Sequence, residues 1–146
     1  MVALPWIAMV IHEYSHYLAA VPLGLNPEVS LDVAGGGCSY WLGTGAQTVV
    51  VRLAGGLGSA VVCGLAFLVV RQGRWVNGWI RPGLLGMLVV LAGAHLVYGV
   101  FEGVGVGETW WAQTIAVVVG LGAGWVVVGR SWQAKFGKCR SNGNVR

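Results

Sequence analysis

The sequence predicts an all-α membrane protein of about four transmembrane helices, with a short β-hairpin-like segment between helices one and two. Two observations predict it. Of 146 residues, 56% are hydrophobic and 10% are charged, whereas a soluble domain carries roughly 25% charged residues. Four apolar runs also approach the ~20 residues that a spanning helix needs. A chain this poor in charge cannot coat a water-facing surface, which excludes an ordinary soluble domain.

The first run is Val2 to Val21, interrupted by "VIHEYSHYLAA". Pro5 suits a first helical turn, and Pro22 ends the helix. No Lys or Arg precedes the run, so it lacks the basic start of a signal peptide. Next, "EVSLDVAGGGCSYWL" alternates Val29, Leu31 and Val33 with Ser30, Asp32 and Ala34. Gly35 to Gly37 turn the chain, giving two short strands at the outer membrane edge. The second span is Thr48 to Val70, with Gly56, Ala60 and Gly64 at four-residue spacing for close helix packing. The third is Pro82 to Phe101, and the fourth, Trp110 to Gly129, repeats the device with Ala116, Gly120 and Gly124. Residues 1–129 then form one membrane-embedded domain, and 130–146 a basic, disordered tail.

Eight of the nine Lys and Arg lie between spans two and three or in the tail. Four spans put both on one side, which the positive-inside rule makes the cytoplasm. The chain is expected as a multi-pass protein of the plasma membrane with both termini cytoplasmic. Glu28, Asp32 and Glu108 fall outside, with Glu102 at that membrane edge. Trp6, Trp75, Trp79 and Trp132 mark the inner interface, and Trp41, Trp110 and Trp111 the outer one. This placement accounts for the basic pI without nucleic acid. Cys38, Cys63 and Cys139 are too separated to pair and lack metal-ligand spacing.

The interruption of span one carries the chemistry. His12 and His16 are i and i+4, so their rings leave one helix face and can share one zinc ion, Zn2+. Glu13 lies beside that face, where a general base can reach an activated water. Ionisable groups at mid-span are costly, which favours a functional reason for all three. A catalytic zinc takes a third protein ligand. His95, Gly99 and Glu102 share a face of span three, and Glu102 matches His16 in depth. Glu102 is therefore the expected third ligand, with Asp32 and Glu108 as alternatives. His95 is the candidate substrate or oxyanion contact, or less directly a ligand. Arg52, near the outer end of span two, can snorkel or pair with Asp32, Glu102 or Glu108.

"HEYSHYLAAVPLG", the strand-like segment after it, and "RLAGGLGSAVVCG" resemble the site-2-protease class of membrane zinc metallopeptidases, in particular its small M50B-like members. The resemblance covers about Val10 to Gly64. It implies His12 and His16 as zinc ligands, Glu13 as catalytic base, and membrane-protein or peptide substrates. The downstream ligand of that class is usually an aspartate in an Asn…Leu-Asp-Gly pattern. Here Phe101-Glu102-Gly103 stands in its place, with His95 near the asparagine. Relatives hold the catalytic centre nearer the cytosol, whereas the charges here place it nearer the outside. The reading is an intramembrane zinc metalloprotease. The alternatives are an inactive metal- or partner-binding scaffold of the same fold, and a protein whose histidines hold a transported ion.

Overall fold

The computed structural model describes residues 3–31, 36–39, 43–73 and 76–141, with the backbone alone at 131–132 and 134–141. The chain is mostly helical. Helix α1 spans Ala3–Ala20, α2 Gly45–Gln72, α3 Arg81–Gly103 and α4 Trp110–Ser141. Strands β1, Glu28–Leu31, and β2, Gly36–Ser39, lie between α1 and α2.

Each boundary has a local cause. Pro22 sits in a single 3-10 turn, Val21–Leu23, closed by Gly24 in the left-handed region (φ 70°). Thr44 caps α2, and the Gln47 side chain returns to the Thr44 backbone as a capping box. Pro82 occupies the first turn of α3. The Arg81 guanidinium donates to the carbonyls of Gly73 and Val76, which closes the α2–α3 loop. After Gly103 the chain reverses through Gly105 (φ 82°), whose N–H donates to the Glu102 carbonyl.

The helices pack in chain order, α1 on α2, α2 on α3 and α3 on α4, with the hairpin against α1. Small residues set the spacing. A Cβ on Gly56 would overlap the Gly99 backbone, so α2 and α3 cross in backbone contact. Ser59 donates to the Ala8 carbonyl (3.0 Å), joining α2 to α1. Gly120 and Gly124 of α4 bear on Val90 of α3, as their spacing predicts, while Gly64 faces open space. The outer face is apolar: Leu65 and Val118 are more than half exposed, as on helices surrounded by lipid.

Among the described residues, three helices are long and apolar enough to cross a membrane: Gly45–Gln72, Arg81–Gly103 and Trp110–Arg130. The fourth expected span, α1, is not among them. His12, Glu13, Ser15 and His16 break its apolar run, and the 18-residue helix falls short on its own. The expected hairpin is present as an antiparallel pair, with Leu31 opposite Gly36. Gly36 and Gly37, expected in the turn, belong to β2, while residues 32–35 lie outside the described residues. The tail expected to be disordered begins as helix, since α4 continues to Ser141.

Candidate metal centre

Helix α1 buries Ala8, His12, Glu13, His16 and Ala20 along one stripe toward α2. His16 is fixed first. Its Nδ1 lies 2.7 Å from the Val51 carbonyl oxygen. A carbonyl only accepts, so Nδ1 carries the proton and Nε2 presents a lone pair. That Nε2 faces His12 Nε2 at 3.0 Å. Glu102, on the last turn of α3, brings Oε1 to 3.3 Å from His16 Nε2 and Oε2 to 3.3 Å from His12 Nε2. Of the sequence candidates, the structure thus brings His12, His16 and Glu102 together, one donor atom each within 4.8 Å of the others.

The cluster suits a small cation by three tests. Four-coordinate zinc, with bonds of ~2.0–2.1 Å to N and O donors, separates neighbouring donors by roughly 3.3–3.4 Å. Here the two imidazole Nε2 atoms are 3.0 Å apart, and each has one of the two Glu102 oxygens at 3.3 Å, the donor set as a whole lying within 4.8 Å. The donors are two imidazoles and a carboxylate, a set that zinc takes. Finally, α2 leaves room for it. A Cβ on Gly55 would collide with the His16 ring and come within 2.8 Å of His12 Nε2. The centre has two loose ends, because His12 Nδ1 and Glu102 Oε2 are buried with no hydrogen-bond partner.

These groups line a cavity of about 550 Å³ that also takes in Glu13, Cys38, Arg52 and Tyr98. Glu13 is 8% exposed and contributes no atom to the three-donor cluster. It stands where a base can act on something held there. Glu108 is exposed on the cavity rim and outside the cluster, since α4 begins beyond it. Asp32, the other alternative ligand, lies outside the described residues. His95 is half-buried, its ring centroid 5.4 Å from that of His12. It does not line the cavity; with Leu91, Ala94, Gln113 and Ala116 it lines a separate apolar crevice between α3 and α4. It therefore stands beside the His12 ring and outside the cavity lining.

Tyr98 is the residue the sequence reading misses. It lines both the cavity and the crevice, its ring centroid 5.5 Å from that of His12. The available signal was its spacing, four residues before Glu102 on the same helix. Cys38 and Ser39 of β2 also reach the cavity. Burial, with a smaller contribution from the Glu13 charge, pushes the Cys38 thiol up to about 11. At neutral pH it is a protonated thiol, a poor nucleophile and a poor ligand. Comparison of the chain with protein-family models, curated proteins and solved structures finds no match.

Proposed function

We propose that the protein is an intramembrane metallopeptidase of the site-2-protease type. It would hydrolyse peptide bonds of membrane-protein substrates with one zinc ion held by His12, His16 and Glu102. The observation that carries this reading is the convergence of those donors in a cavity whose wall includes Glu13. When bound, zinc supplies Lewis acidity toward a water and a scissile carbonyl. Glu13 accepts a proton from the attacking water and returns it to the departing amine. The Val51 carbonyl keeps His16 in the tautomer that leaves Nε2 free. The Tyr98 hydroxyl is a hydrogen-bond donor available along the cavity wall. A substrate helix must unwind before its backbone can be reached, and β2 at the cavity offers a strand edge for it to join.

Purified in detergent, the protein should hold about one zinc per chain, as a closed set of three protein ligands does. His16→Ala should lose most of it, Glu102→Gln should bind it more weakly, and Glu102→Asp should keep part. Metal analysis of the four proteins tests the centre, and full zinc in His16→Ala would remove it. The non-catalytic scaffold remains the second reading, favoured by Glu102 standing where the class has aspartate. Zinc retention without cleavage by the unmutated chain would select it.

The bilayer is the protein's constant partner. The Arg and Lys distribution places the α2–α3 loop and the C-terminus in the cytoplasm and the hairpin outside, which sets the cavity near the outer face. A reporter after Arg146 or near Gly78 should behave as cytoplasmic, and one near Gly36 as external. The reverse pattern would invert the chain in the membrane.

A further inference from the structure

We infer that Arg52 is a carboxylate-binding residue of the substrate cleft, so that the preferred substrates present an anionic group beside the bond to be cut. The inference rests on the peptidase reading above for what the cleft holds. Arg52 is half-buried, follows the Val51 that orients His16, and lines the cavity shared by Glu13, Glu102 and Glu108. Three carboxylates share that cavity with it, yet none forms an ion pair with it. Among the described residues the ion pairs are those of Glu102 with His12 and His16. No carboxylate among the described residues is fixed on the guanidinium, so its donors stay open to an anion entering the cleft.

The guanidinium lies close against the chain reversal after α3, at the cavity wall. Gly105 faces the guanidinium, and a Cβ there would lie 3.1 Å from Nη1. The height is also right. Helix α2 has 28 residues, roughly 42 Å at 1.5 Å per residue, which exceeds a hydrocarbon core of ~30 Å. Arg52, in its second turn, can therefore stand at the interface, where a charged end or side chain of a substrate is still hydrated. The guanidinium fork matches a carboxylate in two parallel hydrogen bonds. The same chemistry is offered by a free peptide C-terminus or by an Asp or Glu side chain.

Binding, and not cleavage, tests this. The full chain carrying Glu13→Gln, in detergent, is titrated into three fluorescein-labelled alanine hexapeptides. One has a free C-terminal carboxylate, one is amidated, and one is amidated with a single glutamate. At least one anionic peptide should bind about tenfold tighter than the neutral amide, the worth of one charge-assisted hydrogen bond. Adding Arg52→Gln should remove the difference, and Arg52→Lys should keep part of it. Preference for the free acid identifies a chain end, and preference for the glutamate peptide a side chain. Equal binding of all three, absence of binding, or a preference that survives Arg52→Gln would overturn the assignment. Zinc content and cleavage by the unmutated chain judge the peptidase reading separately.

Discussion

Glu13→Gln should keep the metal of the unmutated chain and lose cleavage of a membrane substrate by ~10²–10⁴-fold, the usual worth of a general base. The substitution keeps size and hydrogen-bonding capacity and removes only the group that accepts a proton. Glu13 supplies no atom to the His12, His16 and Glu102 cluster, so metal content should not follow activity. That separation makes the measurement decisive. A merely structural glutamate, 8% exposed against the hairpin side of α1, would lose folding, zinc and cleavage together. A ligand would lose zinc first. Zinc content by metal analysis and cleavage of a co-expressed single-pass substrate distinguish the three outcomes, and intact cleavage would end the base assignment.

Gly55→Ala should weaken zinc binding by about 10- to 100-fold, as displacing a ligand's support does, with helix content unchanged. The added methyl would occupy the space of the His16 ring and crowd His12 Nε2. A packed site yields to one extra carbon only by moving side chains or backbone. In helix propensity the same change is favourable, since alanine exceeds glycine. An incidental glycine at 55 would therefore make the variant neutral or more stable, with zinc intact. Gly64→Ala is the matched control, because nothing lies within 4 Å of its added carbon. Circular dichroism and metal analysis of the two variants check the expectation.

The parts of the site readable from sequence are those that rest on one helix. The i, i+4 spacing of His12 and His16 is a property of α1 alone, and the structure keeps it. Glu102 was reachable by matching depths across two helices, because spans that alternate in direction leave α1 and α3 running the same way, with His16 and Glu102 both near their C-terminal ends. Gly55 was legible as a packing residue but not as the floor of the donor cluster, since which helix face meets the imidazoles depends on the α1–α2 crossing. His95 misled for the same reason. It shares a face with Glu102, yet the α3–α4 crevice takes it out of the cavity. The hairpin's existence followed from alternation, while its register did not, because three successive glycines permit more than one turn. The run of α1 was read across an interruption whose polar residues lower its hydropathy as a whole, so it stands apart from the three helices that are long and apolar enough to cross.

That interruption has a consequence for how the protein is made. Synthesis delivers α1 before α2 and α3, and α1 does not by itself meet the requirement for crossing. The chain that completes its polar stripe comes late: Val51 follows after the hairpin, and Glu102 at the end of α3. Until then His12, Glu13 and His16 have no neighbours to share their charge and hydrogen bonds, and water is a better place for them than lipid. Cover for that polar stripe therefore waits on two helices translated after α1.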